Sequence, residues 1–167
     1  MMDDNKDAVD LLVSQHRNLE ELLARFFDDD NVAVRRALFA QVADELTVHI
    51  ESEERVFYPA VKAARTEDIL LESLEEHLSL KRLLADLLEL DPEEQTFAPK
   101  FKVLMEQAEH HHREEEENLF PKVRKLIDSA QREELGQQML ALQVDMTWRG
   151  EPRDIVPGET WQAAPLR

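Results

Sequence analysis

The chain has six histidines, and a neutral imidazole is among the commonest metal ligands in proteins. They are His16, His49, His77, His110, His111 and His112. Two of them begin a His-x-x-x-Glu motif, His49 with Glu53 and His111 with Glu115. Residues four apart share one face of a helix, so each Glu can bridge two metals while its His binds one terminally. The predicted ligand set is His16, His49, Glu53, His77, His111 and Glu115.

The donor types restrict the metal. The chain contains no cysteine, so thiolate sites, iron–sulfur clusters and disulfides are excluded. Imidazole with carboxylate suits iron or manganese, and zinc also fits these donors. Two imidazoles and two bridging carboxylate oxygens give each of two metals four protein ligands. A bridging solvent oxygen adds a fifth, which leaves a position open for oxygen or peroxide. A metal-free interaction domain is disfavoured, because burying these groups without a cation costs several kcal/mol per ionised group.

Four long amphipathic helices are predicted to carry these residues. Their approximate ranges are 6–27, 33–64, a third helix that Thr66 caps, and a fourth that begins near Phe97 and ends near residue 127. Only three glycines occur in the chain, and Leu, Ala, Glu, Lys, Arg and Gln dominate, as is typical of helical proteins. The predicted fold is all-α, an antiparallel up-down-up-down four-helix bundle, because short connections make consecutive helices antiparallel neighbours. Pro59 and Pro121 are expected to kink or close their helices.

The C-terminal region changes character. Ser129 is predicted to cap a short fifth helix, and residues 148–167 are predicted to form an irregular tail after a domain spanning 1–147. Residues 156–159 read as a type II turn. Trp148 and Trp161 are expected to pack on the bundle or on a second subunit, which would make the protein a homodimer.

The chain also contains an internal repeat. Residues 15–19 match residues 76–80, and residues 49–54 with 57–59 match residues 111–116 with 119–121. The offsets are 61 and 62 residues, so the sequence contains two copies of the same helical hairpin. A bundle with a pseudo-twofold axis and one copy of each motif in each half follows.

The ordered pattern His, His-x-x-x-Glu, His, His-x-x-x-Glu resembles the hemerythrin-like HHE family. The resemblance covers about residues 10–127 and rests on a short set of positions. These are His16, His49–Glu53 with Phe57-Tyr58-Pro59, His77, and His111–Glu115 with Leu119-Phe120-Pro121. It implies an antiparallel four-helix bundle around an oxo- or hydroxo-bridged di-iron centre, with roles in oxygen, peroxide, nitric oxide or iron handling.

Two departures from the family's oxygen carriers bear on function. Those proteins have a second histidine one turn from the one on the third helix, and an Asp-ended motif on the fourth helix. Here Ser73 occupies the first position and Glu115 ends the motif. The expected function is therefore binding or reduction of a small-molecule oxidant rather than simple oxygen carriage. The alternative is a metal-binding sensor or iron-handling module without turnover, and the sequence leaves this choice open.

The run His110-His111-His112 leaves the register of the fourth helix open. Alignment of the two halves through their prolines pairs His111 with Glu115. The other register pairs His112 with Glu116 and continues an apolar face. His110 is expected to be a bystander, and Tyr58 is a candidate hydrogen-bonding or redox-active neighbour.

Charge and hydropathy limit the partners. The formal net charge is −17, which repels phosphate backbones and anionic lipid, so neither nucleic acid nor membrane is an expected partner. The first ten residues are polar and acidic, and no apolar stretch approaches membrane-spanning length. The expectation is a soluble cytoplasmic protein.

Overall fold

The computed structural model describes residues 6–167, so residues 1–5 of the predicted first domain lie outside the described part. The described residues form helices and no strand, and the all-helical prediction is confirmed. Two of the helices are long and contain a π-helical turn. The elements are α1 (Ala8–Asp28), α2 (Val32–Ser52, the π-helical turn Glu53–Phe57, then Tyr58–Val61), α3 (Glu67–Leu88), α4 (Phe97–Glu114, the π-helical turn Glu115–Leu119, then Phe120–Leu126), α5 (Ser129–Trp148) and a 3₁₀ helix (Pro152–Glu159).

Side-chain caps begin the first two helices. The Asp7 carboxylate accepts the backbone N–H of Asp10 at 2.9 Å and also binds the Arg132 guanidinium at 3.0 Å. Asn31, in the turn between α1 and α2, accepts the backbone N–H of Val34. These acceptors satisfy amide groups that the first helical turn would otherwise leave without partners.

Two predicted caps act differently. Thr66 does precede α3, but its hydroxyl donates to the Val61 carbonyl and accepts the Ala63 N–H, so it closes the turn before the helix. Ser129 is not the cap of α5. Asp128 takes that position and forms a capping box with Gln131, in which each side chain accepts a backbone N–H of the other residue. The carboxylate is an equally good cap, and it stands one residue earlier in the chain.

Each proline in the repeated motif follows a π-helical turn. The N–H of Tyr58 donates to the Glu53 carbonyl, and the N–H of Phe120 donates to the Glu115 carbonyl, five residues back in both cases. The expected disturbance at Pro59 and Pro121 thus takes the form of one extra residue in the turn rather than a break. Both turns begin at the Glu of a His-x-x-x-Glu motif, which is the correspondence that the repeat predicts.

Two hydrophobic clusters surround the predicted ligands along the chain. One contains residues such as Leu23, Phe26, Leu46, Leu84 and Phe101, and the other contains Leu12, Phe57, Leu70, Leu74 and Phe120. On each of α1 to α4 the predicted ligands lie in sequence between a segment of the first cluster and a segment of the second. The ligand positions are therefore enclosed by apolar packing on both sides, which removes water from them.

Helix α5 is longer than predicted. It has 20 residues, one fewer than α1, and buries Met139 and Gln143 against the rest of the protein. Gly136 permits this packing, because a Cβ atom there would lie 3.0 Å from the backbone nitrogen of Ala8. A side chain at this position would push α5 away from the start of α1.

The C-terminal segment contains a 3₁₀ helix at 152–159, which the sequence did not predict, whereas residues 160–167 have no regular secondary structure. The 3₁₀ helix packs against α2 and α3 with Val156 buried, and Arg153 binds the Asp44 carboxylate at 2.7 Å. The predicted type II turn at 156–159 is wrong, because such a turn needs a positive φ at Gly158, and among residues 6–167 only Gly150 has a positive φ. Trp148 and Trp161 are 83% and 86% exposed, so their side chains do not pack on the bundle, and their packing on a second subunit stays a prediction. Across residues 6–167, no helix is both long and apolar enough to cross a membrane.

The Asp7 cap gives a test of the fold away from the predicted site. Asp7→Ala removes an N-cap and the partner of Arg132, and should lower the free energy of unfolding by about 0.5–2 kcal/mol in chemical denaturation. Burial raises the pKa of Asp7, but its hydrogen bonds from Asp10 and Arg132 outweigh burial and hold the pKa below its ordinary value. The stabilisation is therefore present at neutral pH and is lost as the pH falls through the folded-state value.

Glu21→Ala is the matched control, because Glu21 is an exposed residue in the middle of the same helix. It should change the free energy of unfolding by less than about 0.5 kcal/mol. Equal effects from the two variants at neutral pH would contradict the capping role of Asp7.

Candidate metal centre

All six predicted ligand residues converge in one buried cluster, and each is at most 1% exposed. The Glu53 Oε1 atom lies 3.0 Å from His49 Nε2 and 3.4 Å from His77 Nε2. The Glu115 Oε1 atom lies 3.3 Å from both His16 Nε2 and His111 Nε2. Each carboxylate oxygen therefore lies between one imidazole of the first half, His16 or His49, and one of the second half, His77 or His111.

These separations suit shared coordination. Two ligand atoms about 2.1 Å from one ion and at right angles around it are about 3.0 Å apart. Ligand atoms of Glu53, His77 and His111 all lie within 4.8 Å of one another, and so do those of His49, Glu53 and Glu115. The arrangement has one group of donors for each of two ions, with the carboxylates common to both.

Each of the four imidazoles has an acceptor at its outer nitrogen. The Nδ1 partners are Glu116 for His16 at 3.2 Å, Gln15 for His49 at 2.9 Å, Glu54 for His77 at 2.9 Å and Glu76 for His111 at 3.3 Å. Because an ionised carboxylate or amide oxygen only accepts, it places the proton of a neutral ring on Nδ1. The lone pair then sits on Nε2 and points into the cluster, as metal-ligating histidines require.

The orienting role of these four acceptors was not predicted, although the internal repeat contained a signal for them. Gln15 and Glu76 each directly precede a ligand histidine, and Glu54 and Glu116 each directly follow a motif Glu. Each half therefore supplies one acceptor to its own His-x-x-x-Glu histidine and one to the other half. The pseudo-twofold relation extends beyond the predicted ligands to the residues that orient them.

The centre contains most of the unpartnered polar atoms of the described residues. Nine buried side-chain atoms have no hydrogen-bond partner, and seven of them are here. They are His16 Nε2, His49 Nε2, both Glu53 oxygens, both His112 nitrogens and Glu115 Oε1. In addition, His77 Nε2 and His111 Nε2 lie only 3.0 Å apart. Neutral rings with protonated Nδ1 atoms would bring two lone pairs together there, which is unfavourable unless a cation lies between them.

Protons can partly fill the role of a cation. Burial alone would lower the pKa of His16 and His77, but hydrogen bonds to Glu115 and Glu116 raise that of His16 to about 9. Glu53 and Glu54 likewise raise the pKa of His77 to about 10. Burial and the nearby Glu53 carboxylate raise the pKa of Glu115 to about 7. Because a metal would compete with these protons for the same nitrogen lone pairs, its binding should release protons.

The structure distinguishes the two registers of α4 by position. Glu115 is fully buried in the cluster beside His111, whereas Glu116 is partly exposed and binds His16 Nδ1 and Arg17. Both residues of the proline-aligned pair, His111 and Glu115, lie in the centre, whereas of the other pair only His112 does. The His110 side chain is 60% exposed and lies outside it.

Two further side chains reach the cluster. Tyr58 is buried, and its hydroxyl donates to Glu115 Oε2 at 3.0 Å and lies 3.3 Å from His77 Nε2. Burial and the Glu115 charge raise the pKa of Tyr58 well above its usual value, so the phenol keeps its proton. His112 is also fully buried, and its ring stacks on that of His16 with centroids 3.9 Å apart.

Comparison with known proteins gives a consistent picture. The family model described as the hemerythrin HHE cation binding domain matches residues 7–143. A curated protein named DNA nickase, from Nostoc sp. strain PCC 7120, is 28% identical over 125 residues, which cover 75% of this chain and 36% of that protein. The chain thus spans little more than a third of that relative's length. A crystal structure of a hemerythrin HHE cation binding domain-containing protein from Mycobacterium kansasii is 24% identical, with a TM-score of 0.77 over 92% of this chain and 99% of the other. It shares the fold.

The outer acceptors can be tested within one run of glutamates. Glu116→Ala removes the acceptor of His16 Nδ1 and should weaken metal binding by about 10–100-fold, because the ring loses its fixed tautomer and orientation. Glu117→Ala is the control, since Glu117 is exposed and one residue further along. Competition titration against a chelator measures both. Equal affinities for the two variants would contradict an orienting role for Glu116.

Proposed function

Because the chain belongs to the hemerythrin HHE cation-binding domain family, we propose that it is a non-haem di-iron protein that binds or reduces a small oxidant. Oxygen, peroxide and nitric oxide are the oxidants of suitable size. The observation that carries this proposal is the convergence of four oriented imidazole Nε2 atoms on two shared carboxylates in a buried centre. No other group of side chains in the described residues combines these donors.

The proposed ligands are His16, His49, Glu53, His77, His111 and Glu115. Iron suits this donor set, and manganese or zinc would also be accepted by it. Bound iron would supply the electrons and the open coordination positions that an oxidant needs. The protein contributes the enclosure, because the hydrophobic clusters on both sides exclude water from the centre. Tyr58 contributes a protonated hydroxyl beside Glu115 and His77 that can hold a proton close to the oxidant.

A surface cavity offers the oxidant a route towards the centre. It has a volume of about 780 Å³ and lies between α1, α2 and α5. Gln15 and Gln143 line it, and Gln15 is the residue that accepts the hydrogen bond from His49 Nδ1. The cavity therefore ends at a residue in direct contact with one of the proposed ligands, which supports access by a small molecule.

We also infer the antiparallel up-down-up-down arrangement of α1 to α4. Contacts between α1 and α2 include Gln15 with His49 and Asn18 with Glu45, so residue numbers rise in one helix as they fall in the other. Contacts of Glu76 with His111 and of Asp86 with Lys100 relate α3 and α4 in the same way. These pairs support the bundle expected from the short connections.

We do not extend the activity named for the Nostoc relative to this chain. The match covers only 36% of that protein. The formal net charge of −17 would repel a phosphodiester backbone. The proposed substrates are accordingly small molecules.

The first test is metal content. Protein prepared with adequate iron should contain about two iron atoms per chain, with near-ultraviolet oxo-to-iron charge-transfer bands in the oxidised form. Glu53→Ala or Glu115→Ala should strip the metal and lower the melting temperature, because the buried imidazoles lose their cation. His110→Ala, which changes an exposed histidine, should keep both ions. Absence of bound transition metal after anaerobic iron reconstitution would refute the proposal.

The second test is reactivity. The four-histidine set leaves an accessible position in the centre, so we expect the reduced protein to autoxidise quickly and the oxidised protein to consume peroxide modestly. Stopped-flow mixing of the di-ferrous protein with oxygen measures the first, and peroxide loss measures the second. Zinc-loaded protein is the redox-inactive control. If a long-lived oxygenated species forms and releases oxygen under argon, oxygen carriage becomes the better description.

A further inference from the structure

His112 is a buried histidine whose environment gives it no ordinary structural role. Both of its ring nitrogens are buried without a hydrogen-bond partner. The nearest carboxylate oxygen, Glu20 Oε1, is 3.9 Å from Nδ1, which is too far for a hydrogen bond. Imidazoles in protein interiors normally have at least one partner, because an unpaired polar group there costs free energy. The ring therefore lacks a compensating interaction that a ligand could provide.

The pseudo-twofold relation makes His112 an exception in a second respect. The offset that pairs His49 with His111 pairs Ile50 with His112. Ile50 is 2% exposed and belongs to the hydrophobic cluster around Phe26 and Leu46. The first half thus fills this position with an apolar side chain, while the second half introduces an imidazole. A position that needed only apolar packing would be filled in both halves as it is in the first.

The location of His112 identifies what it can bind. It stacks on His16 and contacts His49, with ring centroids 3.9 Å and 5.6 Å away. Ligand atoms of His16, His49 and His112 all lie within 4.8 Å of one another. His77 and His111 form the other group, together with Glu53. His112 therefore adds to the donors of one ion only.

We propose that His112, with its ring turned out of the parallel stack on His16, is a third imidazole ligand of the ion held by His16 and His49, so that the two ions of the centre are inequivalent. This inference rests on the proposed di-iron function. The ion of His16 and His49 then has three imidazoles and two carboxylate oxygens. The ion of His77 and His111 has one imidazole fewer and keeps the more open coordination sphere. Tyr58 lies on that same side, 3.3 Å from His77 Nε2, and its counterpart in the other half is Phe120, which has no hydroxyl.

The two departures from symmetry thus give the two ions different surroundings. His112 fills a position on the first ion, and the Tyr58 hydroxyl stands beside the open position on the second. An external anion such as azide should consequently bind to one ion per centre. Oxidants would therefore bind at the ion of His77 and His111, beyond the His49 side of the centre at which the cavity beside Gln15 ends.

His112→Ile tests the proposal, because it gives the second half the residue that the first half has at position 50. Anaerobic titration with ⁵⁷Fe²⁺ should show two tightly bound ions in the unaltered chain. In His112→Ile the affinity for one ion should fall by at least about 10-fold while the other stays unchanged. His110→Ala is the control, and it should bind both ions as the unaltered chain does. Far-UV circular dichroism verifies that each variant is folded.

Mössbauer spectra of the oxidised proteins provide a readout independent of affinity. The unaltered chain should show two distinct quadrupole doublets of equal area, and at saturating iron His112→Ile should bring them closer together. Azide should bind once per centre in the unaltered chain and twice in the variant. In His112→Ala, whose smaller side chain leaves space at this position, free imidazole should restore the affinity for the ion that is bound more weakly.

The outcomes separate this inference from the function on which it rests. Failure of the unaltered chain to take up iron would refute the di-iron function itself. Two ions in the unaltered chain, with His112→Ile or His112→Ala binding both as tightly and keeping the same doublets, would overturn only the role of His112.

Discussion

The structure depends on a local electrostatic requirement, which is that four imidazole Nε2 atoms and two carboxylates are buried together. Each ring can turn its lone pair inward only if an acceptor holds the proton on Nδ1, and four side chains, one from each of α1 to α4, provide those acceptors. Removal of water by the apolar clusters makes both the attraction to a cation and the penalty for lacking one larger. The same enclosure that would make the centre reactive therefore makes a metal-free centre unfavourable.

The carboxylate that orients His77 is itself connected to the C-terminal segment. Glu54 accepts from His77 Nδ1 and from the Lys81 ammonium, which lies 2.7 Å away. Lys81 also binds Glu159, at 3.1 Å, in the 3₁₀ helix. A chain of contacts thus runs from the C-terminal segment to a proposed ligand. The packing of the 3₁₀ helix on α2 and α3 accordingly holds the orienting carboxylate of His77 in place, in addition to covering the bundle.

The helices and the proposed ligand positions could be predicted from local sequence, because both follow from regular spacing. The His-x-x-x-Glu motifs, the repeat and the four helix locations could all be predicted from residues close together in the chain. The hydrogen bond between His16 and Glu116 could not be predicted, since it joins residues 100 apart and depends on how helices rotate against each other.

The π-helical turns were missed for a related reason. Proline predicts a disturbed helix, but whether the helix breaks or gains a residue depends on what packs around it. The exposure of Trp148 and Trp161 likewise runs against their hydrophobicity, which was the only guide available in the sequence.

The repeat has a further consequence at the outer acceptors, where its two halves differ in charge. His77 and His111 both donate to carboxylates, Glu54 and Glu76. His49 instead donates to the neutral amide of Gln15, which is the counterpart of Glu76. A carboxylate partner makes an imidazole a more basic ligand than an amide does, because partial negative charge is transferred to the ring. An ion held by His77 and His111 would therefore have two carboxylate-oriented imidazoles, whereas an ion held by His16 and His49 would have one, because Glu116 orients His16 and the neutral Gln15 orients His49. Greater negative charge favours the more highly charged oxidation state, so in the proposed centre the half beside Tyr58 would be the one that better stabilises an oxidised ion.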